Sequence, residues 1–215
     1  MGNWEYITFS SYIFPIGTGL ALLFQKRLPF IGRILWLYLL FTVCVEMVSG
    51  ILASKGINNL WLYRIYMYAE LVFPGFFFFN QFSKRRGKVL LLAIFILAIS
   101  IITITNCFDN WYEYASVQAV ITFVYVAYVI ISYFVEMFQL EKVFNPFRDI
   151  YFIVGGTLLL GHSCTLIYNV LYNYLASGYF GSHILSILDG INMGLIVFYN
   201  ILYSYALWIS RHRLT

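Results

Sequence analysis

From Val89 to Asn106 the chain runs eighteen residues without a charged side chain, most of them Leu, Ile and Ala. As a helix, such a stretch rises about 27 Å, close to the roughly 30 Å hydrocarbon thickness of a bilayer. In hydrocarbon each backbone N–H and C=O needs an internal partner, and a single segment supplies these only as a helix. The chain is therefore expected to cross a membrane here.

The pattern recurs along the chain. Apolar segments are read at about Tyr6–Phe24, Ile34–Ser54, Leu60–Phe82, Val89–Asn106, Tyr114–Phe138, Ile150–Leu175 and Ile184–Ile209. The connections are Gln25–Arg33, Lys55–Asn59, Ser83–Lys88, Cys107–Glu113 and Gln139–Asp149, with a tail at Ser210–Thr215. Only 10% of residues are charged, against about 25% in a soluble domain. The expected fold is all-α: a single domain over residues 1–215, an integral membrane bundle of seven transmembrane helices with no soluble domain. Met1–Tyr6 lacks the basic start of a cleaved signal peptide.

Basic residues alternate between the connections. Lys26, Arg27 and Arg33, then Lys84, Arg85, Arg86 and Lys88, then Lys142 and Arg148, then Arg211 and Arg213 fall on one side. The other side has Lys55, with Arg64 just inside a span. Cytoplasmic loops carry the Lys/Arg excess, so the expected orientation is N-terminus out and C-terminus in, in a bacterial inner membrane. The net charge of +4 is spent on these loops and does not point to nucleic acid. Leu52-Ala53-Ser54 and Leu175-Ala176-Ser177 end two of the segments, with Glu46 and Asn169 eight residues before each Ser. This hints at a 3+1+3 arrangement, with Val89–Asn106 as a lipid-facing linker that adds little to a pocket.

The third segment has a polar stripe. At about 100° per residue, Asn59, Tyr63, Tyr66, Glu70 and Pro74 fall on one face. A carboxylate at the centre of a membrane helix costs about 2.5–3.5 kcal/mol, so Glu70 is expected to face protein, water or a partner charge. Thr42, Glu46 and Ser49 align in the second segment, as do Gln118, Thr122, Tyr125, Ser132 and Glu136 in the fifth. His162, Thr165, Asn169 and Asn173 align in the sixth, and Asp189, Asn192, Asn200 and Tyr203 in the seventh. At about 1.5 Å per residue, Glu46, Tyr63, Arg64, Tyr66, Glu70, His162, Asn169, Asp189 and Asn192 lie between the outer face and mid-membrane. They are the candidate ligand-binding residues. Arg64 is expected to reach Glu46 across the five-residue turn, or to snorkel to the interface. Glu136, near an inner end, is expected to tolerate replacement. Gly155-Gly156 reads as close helix packing.

Several chemistries lack their residues. No Lys lies inside a span, so a retinal Schiff base has no attachment point. No HExxH, nucleophile elbow or phosphate-binding loop is present. No cofactor and no metal are expected. Cys44, Cys107 and Cys164 form no disulfide framework.

Asn58-Asn59-x-Trp61-Leu62-Tyr63-x-Ile65-Tyr66-x-x-x-Glu70, following Glu46 in the preceding helix, resembles uncharacterised small seven-span membrane proteins of Bacteroidetes-type bacteria. The resemblance covers the second and third segments, about a fifth of the chain, and implies no activity. The helix count is also similar to that of seven-span sugar and vitamin carriers, whose Pro-Gln signature is absent here; this is analogy of fold alone.

The expected function is binding of a small polar or amphipathic molecule in an outward-facing polar pocket, as a carrier or sensor rather than an enzyme. Pro15 and Pro74 supply breakable helices of the kind carriers use. Two alternatives stand beside it. One is an intramembrane enzyme acting on a lipid or envelope intermediate, with Glu70 or Asp189 as acid or base. The other is a structural subunit that pairs its acidic groups with a membrane protein partner or a second copy.

Overall fold

The computed structural model describes residues 10–109, 115–139, 145–174 and 182–211. Among them lie seven α-helices: α1 Ile13–Phe24, α2 Phe30–Ser54, α3 Leu60–Phe79, α4 Arg85–Phe108, α5 Ser116–Gln139, α6 Ile150–Tyr174 and α7 Ser182–Ser210. A single 3-10 turn at Pro146–Arg148 precedes α6. The fold is all-helical. Among the described residues, four stretches are long and apolar enough to cross a membrane: α2, α4, α5 and Gly190–Ser210 within α7. The chain is thus a membrane protein by its helices. The start of the first expected segment, the Leu175-Ala176-Ser177 motif and most of the tail lie outside the described residues.

Several helices overrun the apolar segments. α2 begins at Phe30, directly after Pro29, rather than at Ile34, and α4 begins at Arg85 rather than Val89. Helical hydrogen bonds do not require apolar side chains, and proline costs nothing where the N–H has no intrahelical partner. At the other end α4 runs on to Phe108. α3, at twenty residues, is not among the apolar stretches because Arg64, Glu70 and its tyrosines lower its hydropathy.

The chain forms two compact units. The first holds residues up to Phe41, Val143–Thr165 and Leu175 onward; the second holds Thr42–Lys142 and Leu166–Tyr174.

In the first unit α1 packs on α7. Gly19 gives the Trp36 ring room: a Cβ there would overlap its Cδ1 atom. The Trp36 indole donates to the Ile16 carbonyl at 3.2 Å. Asn200 Nδ2 donates to Ser11 Oγ at 2.7 Å within the buried interior. The Asp149 carboxylate caps α6, accepting from the backbone N–H of Tyr151 at 2.8 Å and Phe152 at 3.0 Å, as an N-cap does. A Cβ at Gly156 would meet nothing within 4 Å, whereas Gly155 beside it is buried. Gly161, one turn on, is the glycine that touches a neighbour, the ring of Tyr199.

In the second unit α3, α4 and α5 pack pairwise. Met67, Leu71, Phe77, Phe78, Ile102, Val126, Val129 and Ile130 are buried between them. Pro74 sits inside α3 and cannot donate to the Glu70 carbonyl one turn back. Gly75 beside it admits the Tyr125 hydroxyl, which would lie 2.5 Å from a Cβ at that position. The opposite face of α4, with Leu90, Leu92, Ile96, Leu97 and Ile104, is exposed, as suits a lipid-facing surface.

Candidate functional site

The α2–α3 connection sets the register of the site. Gly56 takes a left-handed φ of +68°, open to glycine without steric cost. The N–H of Ile57 returns to the Leu52 carbonyl at 3.0 Å. The chain reverses within five residues, so residues at helical spacing on α2 meet residues at helical spacing on α3. Thr42, Glu46 and Ser49 face Tyr66, Tyr63 and Asn59.

Two hydrogen-bond chains follow, both directed at a carboxylate. Asn59 Nδ2 donates to Ser49 Oγ at 2.6 Å and to the Ser49 carbonyl at 3.1 Å. Ser49 Oγ donates to the Tyr63 hydroxyl at 3.1 Å, and that hydroxyl donates to Glu46 Oε2 at 3.4 Å. In the second chain the Tyr66 hydroxyl bonds the Glu70 carboxylate. The same hydroxyl bonds Thr42 Oγ1, 3.3 Å away. Each hydroxyl donates one proton, so the first chain runs one way, from Asn59 to Glu46.

Arg64 is not part of this seam. Its Nη1 donates to Asn106 Oδ1 at 2.8 Å and pairs with Asp109 Oδ2 at 3.5 Å. The expected Arg64–Glu46 pair is therefore wrong. Arg64 projects from the other side of α3, toward α4, and is 2% exposed, so it does not snorkel either. Gln118 Nε2 on α5 closes the cluster, donating to Asp109 Oδ2 at 2.6 Å and Thr105 Oγ1 at 3.0 Å. Asn106 Nδ2 donates to the Tyr68 hydroxyl at 3.1 Å, which also bonds Thr103 Oγ1, 3.2 Å away. The C-terminal end of α4 thus supplies Thr103 and Asn106, and its C-cap Asp109. The signal was their three-residue spacing.

Of the nine candidates, Glu46, Tyr63, Tyr66 and Glu70 come together in the α2–α3 seam. Arg64 belongs to the second cluster of the same unit. His162 on α6 and Asn192 on α7 belong to the first unit, where Asn192 is half-buried and its Oδ1 has no partner among the described residues. Asn169 and Asp189 lie on α6 and α7, with side chains outside the described set. Among the described residues no three His, Cys, Asp or Glu side chains group as metal ligands. At the other end of the second unit, Glu136 on α5 accepts from the Ser83 N–H at 2.7 Å and from the Ser83 hydroxyl. It ties down the α3–α4 connection rather than standing free at an interface.

Comparison with protein-family models, curated proteins and solved structures gives no match.

Proposed function

We propose that the chain binds a small polar ligand bearing a cationic group at the Glu46–Glu70 seam, as a carrier or sensor in a membrane. The observation that carries this reading is the pair of donor chains: Asn59, Ser49 and Tyr63 end on Glu46, and Thr42 and Tyr66 end on Glu70. Donors converging on a carboxylate favour its charged form. A cationic group bound between the two would favour the charged form further. Arg64, on the same helix, spends its charge on Asp109. The proposed topology is a seven-span bundle with the N-terminus out. Its support is the alternation of basic loops, and it opens the seam toward the outer side. Pro74, one turn past Glu70, weakens α3 where a carrier needs a hinge.

The test is a thermal-shift series on detergent-purified protein with matched small amines, alcohols and carboxylates. At least one amine should raise the melting temperature of the wild type and fail to do so for Glu70→Gln. That substitution keeps an acceptor for Tyr66 and removes the charge. Equal shifts in wild type and variant, or no stabilising amine, overturn the reading.

A further inference from the structure

Helix α5 carries a second row of polar atoms, away from the carboxylate seam. Gln118, Thr122 and Tyr125 stand on one face at intervals of four and three residues, and each is at most 1% exposed. Gln118 Oε1, Thr122 Oγ1 and the Tyr125 hydroxyl have no partner among the described residues. Such buried atoms in a folded protein are ordinarily bonded to protein or to ordered water.

Turning over the Gln118 amide does not satisfy its oxygen. Turning the Gln118 amide over would aim its oxygen at Asn106 Oδ1 and Asp109 Oδ2, which its nitrogen now contacts. A carboxylate oxygen and an amide oxygen cannot donate, so the nitrogen stays there and Oε1 points elsewhere. Thr122 also departs from its peers. Ser100, Thr157 and Ser204 each donate to the carbonyl four residues back, at 2.7–2.8 Å; Thr122 does not. The Tyr125 ring rests on Phe95 of α4 with centroids 5.9 Å apart, and its hydroxyl abuts Gly75 of α3. The row therefore lies inside the α3–α4–α5 bundle and extends about 10 Å along the α5 axis.

We propose that Gln118, Thr122 and Tyr125 hold internal water in this bundle, forming a hydrated column from the Arg64–Asp109 cluster to the Pro74–Gly75 turn of α3. Water suits the three groups because it both donates and accepts. Gln118 Oε1 needs a donor, while the two hydroxyls offer one proton each and accept others. The column is independent of the Glu46–Glu70 site, since no residue is shared between them.

Two measurements on the whole protein test it. The first is radiolytic labelling in ¹⁸O water, which marks side chains beside water held inside the fold. Tyr125 should incorporate ¹⁸O several-fold faster than Tyr133, the buried tyrosine about two turns further along α5. Equal rates overturn the proposal. The second uses Thr122→Val and Tyr125→Phe, which remove one oxygen each and keep the shape. If water bonds these oxygens, each substitution lowers the melting temperature by about 2–4 °C. An unchanged or raised melting temperature means the atoms were bare, and overturns the proposal. A fall without preferential labelling of Tyr125 assigns the bonds to protein and overturns it equally.

Discussion

Arg64 Nη1 stands 2.8 Å from the Asn106 side-chain oxygen, tying α3 to α4 through residues 42 positions apart. The guanidinium is buried, and its carboxylate partner Asp109 is 38% exposed, so Asn106 provides the contact that solvent does not screen. Asn106→Leu removes the acceptor and should cost about 2–3 kcal/mol, the range for a hydrogen bond to a charged group. Asp109→Asn should cost under about 1 kcal/mol because water reaches that end. In a thermal-unfolding cycle, Arg64→Met should couple to Asn106→Leu by at least about 0.5 kcal/mol. It should be additive with Glu46→Gln, since Arg64 and Glu46 meet different partners.

That contact also marks where sequence reading stops. The seam between α2 and α3 was legible because its residues flank a five-residue turn. Helical spacing aligns Thr42, Glu46 and Ser49 on α2 and Asn59, Tyr63 and Tyr66 on α3, but it does not say which meets which: Glu46 was expected to pair with Arg64 and meets Tyr63 instead. The Arg64 cluster was not legible. Its partners sit at the end of α4, whose middle is apolar on every side and so defines no polar face. Asp109 also falls just beyond the apolar run and reads as loop until the helix is seen to continue to Phe108. The Glu136–Ser83 contact, 53 residues apart, was hidden for the same reason, since no local periodicity connects two helix ends.

Glu136 therefore bears weight that its exposed position conceals. Its carboxylate accepts from both the backbone and the hydroxyl of Ser83. Glu136→Ala should lower stability by about 1 kcal/mol, the modest value of an exposed but charge-assisted contact, seen as a fall of roughly 2–4 °C in melting temperature. Glu136→Gln, which keeps one acceptor oxygen, should lose less than half of that. Ser83→Ala should weaken the contact without abolishing it, because the Ser83 N–H remains.

Orientation is open to direct measurement. In a background with Cys44, Cys107 and Cys164 replaced, Arg86→Cys places a thiol in the basic first turn of α4. With the N-terminus out, this site should resist a membrane-impermeant thiol reagent added to intact cells and react once the membrane is permeabilised. Lys55→Cys, on the opposite side, should react in intact cells. The reverse pattern would invert the topology and close the Glu46–Glu70 seam to the outside.

Two glycines of α1 separate packing from helix propensity. Gly17 has nothing within 4 Å of a Cβ built on it, whereas at Gly19 that Cβ falls on the Trp36 ring. Alanine is favoured over glycine in a helix interior by about 0.8–1.0 kcal/mol, so both positions gain equally from propensity. Gly17→Ala should therefore hold or raise the melting temperature. Gly19→Ala must also displace Trp36, a large ring held by its bond to the Ile16 carbonyl at 3.2 Å. Overpacking of this kind costs about 1–3 kcal/mol, enough to reverse the gain. Gly19→Ala should lower the melting temperature, and Trp36→Leu should relieve the clash, so that Gly19→Ala costs less in the Trp36→Leu background than in the wild type. If the two glycines respond alike, the Trp36 ring does not rest on Gly19, and α1 packs differently from the arrangement described.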